Sequence, residues 1–170
     1  VHLCDALIKN NFQVIALVRN KNSKNIENLK KKDIHINYIG NLFKKTKFTR
    51  NYSDIKYLVN LAALAHLNIR KKIANNQELD SLNNVERNII NNFKNKRLKI
   101  IQISSAKVIE AEQYSNCKKV SSYVKVKIKG EKIIRQYYKN HIILRPPLVY
   151  GPGVKANFLN LLKAVDHNIP

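Results

Sequence analysis

Methionine is missing from the whole chain, position 1 included, so unless a first residue was removed the sequence begins inside a longer reading frame. Cysteine is nearly missing too. Cys4 and Cys117 offer neither a metal-ligand spacing nor a disulfide framework, which makes a reducing compartment, the cytoplasm, the default and leaves no metal site to expect. No apolar run approaches the roughly 20 residues that a membrane span requires. The opening HLCDALIKNN is polar on one face and has no cleavage pattern, so it does not read as a signal peptide. Proline and glycine number four each and cluster only in RPPLVYGPG, where a strand finishes and the chain must turn.

Negative charge is scarce as well: 11 Asp and Glu stand against 32 Lys and Arg, a formal net charge of +21. Such a balance suggests a nucleic acid or an anionic membrane surface as partner. Its distribution argues otherwise. The basic residues are scattered through KNSKNIENLKKK, FKKTKFTR and NNFKNKRLK among Asn and Ile, without the aromatic or glycine pattern of a nucleic-acid module. The charge reads mainly as residue-usage bias on a solvated surface, with non-specific polyanion binding as a side effect. Neither a specific nucleic acid nor a membrane is expected as partner.

What is present suits one globular domain: 170 residues, 44% of them hydrophobic. Short apolar runs alternate with helical segments, the pattern of an α/β fold with a parallel sheet. A helix in HLCDALIKN precedes a strand in QVIALVR; a short helix in NIENLKKK leads to strands in IHINYI and IKYLVNLA. A long helix over 75–96, a strand in LKIIQIS, a helix over 122–139, a strand in HIILRP and a helix from about 157 complete the order. The helix comes first, whereas a doubly wound domain normally begins with a strand. No repeat or linker marks a domain boundary.

Tyr-x-x-x-Lys occurs at Tyr52/Lys56, Tyr114/Lys118 and Tyr123/Lys127. On a helix this spacing puts phenol and ammonium on one face. A free tyrosine, with a pKa of about 10, is a poor base near neutrality, and a nearby cation favours its phenolate. Spacing alone does not choose among the three pairs, and a surface Tyr and Lys at favourable spacing is the bland reading of each.

Four segments in order, VIALVRN, VNLAALAH, IQISSAKV with the later YVKVK, and ILRPPLVYGPGVKANFLNLL, resemble the NAD-dependent epimerase/dehydratase family, the extended short-chain dehydrogenases. Within it they are most similar to the UDP-glucose or UDP-N-acetylglucosamine 4-epimerase-like members of surface-polysaccharide pathways. The resemblance implies a Rossmann-like doubly wound parallel sheet. In the family a Ser or Thr ends the strand before the catalytic helix, and Tyr opens that helix with Lys one turn later, which selects Ser105, Tyr123 and Lys127. By the same resemblance Ser105 holds the sugar hydroxyl that Tyr123 deprotonates, Lys127 also bonds the nicotinamide ribose, and hydride passes to the nicotinamide. Ser105 also reads as a strand-end hydroxyl bonding its own backbone, and Ser104 is the neighbour easily mistaken for it.

The remaining expected sites follow from the same family pattern. Leu61, Ala62 and Ala63 match the segment beneath the pyrophosphate and ribose, although an Ala-rich strand end is also plain packing. Asn41 and Leu42 stand where an acidic residue binds adenine. Arg19 ends a strand where an acidic residue binds the ribose 2′-hydroxyl and a basic one accommodates a 2′-phosphate, so NAD is expected with NADP left open. Pro147, Leu148 and Val149 match the run beside the nicotinamide. Asn157, Phe158 and Leu159 match contacts to the nucleotide of the sugar substrate, with helix core as the other reading of the last two. Asn60 stands where many relatives have histidine, and Asn84 matches a buried asparagine whose following Gly-Thr has become Arg87-Asn88.

The family's G-x-x-G-x-x-G turn and the strand before it are absent from the sequence, and it closes at HNIP before a C-terminal substrate domain. The expectation is a partial NAD(P)-binding domain over 1–170 that reaches the start of the substrate-binding region. In the order 3-2-1-4-5-6 the first strand lies between the second and the fourth, so its absence leaves unpaired edges. Ala106 and Lys107 follow Ser105 where dehydratases carry acidic residues, which puts 4-epimerisation first, keto-sugar reduction second and dehydration behind both. An inert basic remnant that binds a polyanion or a partner is the reading from a different class. The long helices over 75–96 and 122–139 are where relatives form homodimers, which the excess positive charge opposes.

Overall fold

The computed structural model describes residues 1–21, 25–30, 32, 34–63, 82–95, 97–113, 120–151 and 165–166. They belong to two compact units, one of 1–55, 62–65 and 73–95 and one of 56–61, 66–72 and 96–170.

In the first unit α1 (His2–Lys9), β1 (Ile15–Val18), α2 (Asn25–Lys30), β2 (His35–Tyr38) and α3 (Asn84–Asn92) follow in order. The β-branched and aliphatic run IALV and the run HINY pair in parallel, from Ile15 opposite His35 to Val18 opposite Tyr38. Asn11, just past α1, takes a left-handed φ of 62°, a conformation that asparagine tolerates better than most residues. Ile26 and Leu29 of α2 are buried, as are Val85 and Ile89 of α3 one turn apart. Phe48, Tyr52 and Phe93 close this core edge to face and tilted, with centroids 5.2 to 6.0 Å apart.

The second unit holds β3 (Tyr57–Asn60), β4 (Lys99–Ile103), α4 (Lys107–Gln113), α5 (Ser122–Tyr137) and β5 (His141–Leu144), with its strands parallel in the order β3-β4-β5. Along β4 the side chains alternate between half-buried and buried, which places Ile100 and Gln102 on the inner face. Gln102 lies opposite Asn60, whose Nδ2 donates to Gln102 Oε1 at 2.8 Å, so two buried amides satisfy each other. Ser121 starts α5 as its N-cap, its Oγ accepting from Val124 N at 3.4 Å.

The five expected strands are present, and within each sheet the neighbours are those that 3-2-1-4-5-6 leaves when its first strand is omitted. Among the described residues β1 and β3 therefore each pair along a single edge. One helix was not anticipated. EAEQYSNCKK reads as a connecting loop in sequence, yet its first four residues complete α4, KVIEAEQ, whose first turn is closed by Val108 N to Ser105 O at 3.0 Å and Ile109 N to Ala106 O at 2.9 Å, with Ser105 Oγ accepting from Lys107 N at 3.3 Å. The pair Tyr114/Lys118, Cys117 and the helix expected from about 157 lie outside the described residues, apart from 165–166.

Candidate active site

Parallel pairing brings the carboxyl ends of β3, β4 and β5 to one edge of their sheet. Leu61 follows β3, Ser104 and Ser105 follow β4, and Arg145 to Val149 follow β5. Backbone bonds from Ser104 N to Leu144 O at 2.7 Å and from Ala106 N to Pro146 O at 3.0 Å extend the pairing beyond the strands and fix the two serines. Ser105 is half-buried. Its oxygen accepts from Lys107 N at 3.3 Å, the backbone role that its position allowed, and its proton remains available to another acceptor.

Tyr123 is the second residue of α5, and Lys127 comes one turn later on the same face. Lys127 Nζ donates to Ile103 O, the last residue of β4, at 3.0 Å and stands 5.9 Å from the Tyr123 ring centroid, within cation–π range. The lysine thus links the helix to the strand end that carries Ser105. Tyr52 does something else: it is 3% exposed in the aromatic cluster of the first unit and accepts from Asn37 Nδ2 at 2.8 Å. Its Tyr-x-x-x-Lys spacing is incidental.

A second turn further along the same face comes Glu131, which the sequence reading missed. Its side chain is 4% exposed and meets Arg145 in a fork, Nε to Oε1 at 2.9 Å and Nη2 to Oε2 at 2.6 Å. Arg145 also grips Glu112 of α4 through two bonds of 2.8 Å. Burial pushes the Glu131 carboxyl up, but the Arg145 fork, the nearby Ser104 hydroxyl and the charges of Arg145 and Arg135 outweigh it and hold it below its ordinary range. The two carboxylates push the Arg145 guanidinium further up. Among the described residues Ser104 Oγ, itself buried and near the Glu131 carboxylate, has no partner that meets hydrogen-bonding geometry. The available signal was arithmetic: in a chain with few acids, Glu131 continues the four-residue series of Tyr123 and Lys127.

The family model for the NAD dependent epimerase/dehydratase family matches residues 1–166. The chain belongs to that family. A 29-residue stretch is 59% identical to UDP-glucose 4-epimerase of Vibrio cholerae, covering 17% of this chain and 9% of that protein. Among solved structures, Gre2 of Candida albicans in complex with NADPH superposes with a TM-score of 0.61 at 20% identity, over 91% of this chain and 57% of Gre2. A second structure of the same protein gives 0.59 at 16% identity, over 91% and 56%. At such identities the likeness shows the fold, a Rossmann-type α/β sheet, and the chain spans a little over half the length of these structures.

For a member of an NAD-dependent family, the next test is whether the strand ends fit a dinucleotide. In the second unit Leu61, Leu148 and Val149 are 60%, 52% and 67% exposed, and Pro147 is exposed beside them. Apolar side chains held in solvent at the carboxyl edge of parallel strands are what a ligand face requires. In the first unit the exposed Arg19 directly follows β1, and the half-buried Asn41 and Leu42 follow β2. Gly40, with φ of 75°, turns the chain there, and Asn41 Oδ1 accepts from Phe43 N at 3.1 Å. Ala62 is half-buried and Ala63 exposed. Asn157, Phe158 and Leu159 lie outside the described residues.

Asn84 departs from expectation: it is half-buried rather than buried, and Asn83 and Asn88 are the buried amides at 0% and 3% exposure. Arg87 and Asn88 do not spoil the packing of α3, because Arg87 faces solvent and Asn88 turns inward. A cavity of about 410 Å³ lined by residues 51–53 and 91–95 belongs to the first unit and holds none of the expected site residues.

Proposed function

We propose that the chain carries the chemical centre of an NAD(P)-dependent nucleotide-sugar enzyme of the UDP-sugar 4-epimerase type. The observation that carries the reading is Lys127, held between the Tyr123 ring and the carboxyl end of β4, two residues before Ser105. Tyr123 exchanges a proton with the sugar hydroxyl, Ser105 donates a hydrogen bond to that hydroxyl, and the Lys127 ammonium supplies the counter-charge. A nicotinamide dinucleotide, when bound, supplies the hydride acceptor and donor. The family resemblance assigns Leu61, Ala62 and Ala63 to its pyrophosphate and ribose, Pro147, Leu148 and Val149 to its nicotinamide, and Arg19, Asn41 and Leu42 to its adenosine. Asn157, Phe158 and Leu159 are assigned to the nucleotide of the substrate on the sequence resemblance. That resemblance also supports UDP as the nucleotide of the substrate, a homodimer, a cytoplasmic setting and a role in surface-polysaccharide synthesis.

A second reading, keto-sugar reduction with NADPH, draws on Arg19, a basic residue at the 2′-position of the adenosine ribose. The two separate by cofactor economy: a reductase releases oxidised cofactor at each turnover, whereas an epimerase retains it.

The test is the interconversion of UDP-glucose and UDP-galactose followed by NMR in the presence of NAD. Tyr123→Phe is expected to abolish interconversion and leave NAD affinity unchanged. Activity retained in that variant sinks the role of the tyrosine, and steady loss of absorbance of added NADPH with a keto-sugar replaces epimerisation with reduction.

A further inference from the structure

Asn84, Asn88 and Asn92 recur at four-residue spacing on α3, which puts their amides on one face. That face meets the backbone of residues 42–48. Asn84 Nδ2 donates to Phe43 O at 3.1 Å; Asn88 Nδ2 donates to Leu42 O at 2.8 Å and to Lys44 O at 2.7 Å, while Asn88 Oδ1 accepts from Thr46 N at 3.0 Å. Asn92 repeats the pattern two residues on, donating to Thr46 O at 2.9 Å and accepting from Phe48 N at 2.7 Å. Each of the latter two amides serves the carbonyl of one residue and the N–H of the residue two further on, which is what the edge of a neighbouring strand does. The segment so gripped closes back on itself through Thr46 Oγ1, whose one proton faces both Lys44 O at 2.8 Å and Asn41 O at 3.0 Å. The asparagine face therefore fixes the turn that presents Asn41 and Leu42.

We propose that Asn88 and Asn92 are positioning residues for the adenosine end of a dinucleotide, acting through the 42–48 backbone on Asn41 and Leu42. The proposal rests on the reading of the chain as a dinucleotide enzyme. Asn88 stands where the family resemblance expects a threonine, so this grip is a feature of the present sequence and not a carry-over.

The experiment uses the full chain and two readouts: amide hydrogen exchange at Thr46 and Phe48, and titration with ADP-ribose and with reduced nicotinamide mononucleotide. Asn88→Ala is expected to lower protection at Thr46, and Asn92→Ala at Phe48, each by about tenfold. Both weaken ADP-ribose by about fivefold and leave the mononucleotide unchanged, a split that general loosening of the fold does not produce. Asn92 is only half-buried, so its variant keeps the test open where Asn88→Ala fails to fold. Unchanged protection overturns the grip. Lost protection with unchanged ADP-ribose affinity, or equal weakening of both ligands, overturns the positioning role. No ADP-ribose binding by the unaltered chain overturns the cofactor reading itself, and the adenosine role with it, while the exchange data still report on the grip.

Discussion

The segment after β2 in the first unit is held by six hydrogen bonds from three neutral asparagines, whereas the segment after β5 in the second is held by one guanidinium between two carboxylates. Both arrangements fix a stretch of chain that the fold presents at the carboxyl end of a parallel strand. They differ in what disturbs them. An amide keeps its donor and acceptor at every ordinary pH and is little affected by salt, whereas a carboxylate pair is lost on protonation and, where exposed, is screened. In a chain with 32 basic residues against 11 acidic ones, an amide adds order without adding to the net charge.

The largest effect should come from removing the charge of Glu131. Glu131→Gln leaves Arg145 facing a neutral group in a nearly dry position, and breaking a mostly buried pair from one side costs about 3 kcal/mol. The Glu131 carboxyl is held below its ordinary value near 4.5 in the fold, so its stabilisation is complete above that value and fades as pH falls through the lower, folded value. Urea unfolding at pH 7 and at successively lower pH in the acid range checks both statements: the gap between variant and parent is wide at the first and narrows as the pH falls. A gap that stays constant with pH would mean that Glu131 packs rather than pairs.

Asn88→Ala comes next, at about 2 kcal/mol, because it removes the side-chain partners of Leu42 O and Thr46 N and one of the two on Lys44 O. Asn92→Ala should cost about 1 kcal/mol, since Asn92 is half-buried and water reaches part of what it leaves. Unlike the Glu131 effect, both losses should be the same at pH 5 and pH 8 by urea unfolding. A pH-dependent loss in either variant would erase the distinction between the two units.

The same contrast governs what was legible in the sequence. The β-branched run LKIIQIS discloses β4, because hydrophobic pattern is local, whereas YVKVKIKG alternates with period two and does not by itself disclose α5. The pair Tyr123/Lys127 was singled out from three equal spacings by the family resemblance and by no local signal, since α4 intervenes between β4 and the helix on which Tyr123 stands. The grip of Asn88 and Asn92 was not legible, since its partners lie more than 40 residues away and an asparagine-rich chain gives no reason to single out three of them. Arg145 was hidden for a similar reason: among 32 basic residues nothing local marks the one that binds two carboxylates. Helix α4 was missed because it is seven residues long and buries one apolar side chain, Val108, too brief a pattern to read as a helical period.

The smallest effect tests how far the ionic character of the second unit extends outward. Glu112 binds the same guanidinium as Glu131 with equally short contacts, yet its side chain is 52% exposed against 4%. Water therefore competes for it, and an exposed pair is worth about 0.5 kcal/mol. Glu112→Gln should lose that amount in dilute buffer and essentially nothing in 1 M NaCl, where the screening length shrinks to about 3 Å. Glu131→Gln, being dry, should keep most of its loss in the same salt. Urea unfolding of both variants at low and high salt measures the two together, and a Glu112 loss that survives 1 M NaCl would show that Arg145 holds α4 as firmly as it holds α5. In that case the guanidinium would fix Ser105 from two sides, through the helix that follows it and through the helix that carries Tyr123 and Lys127.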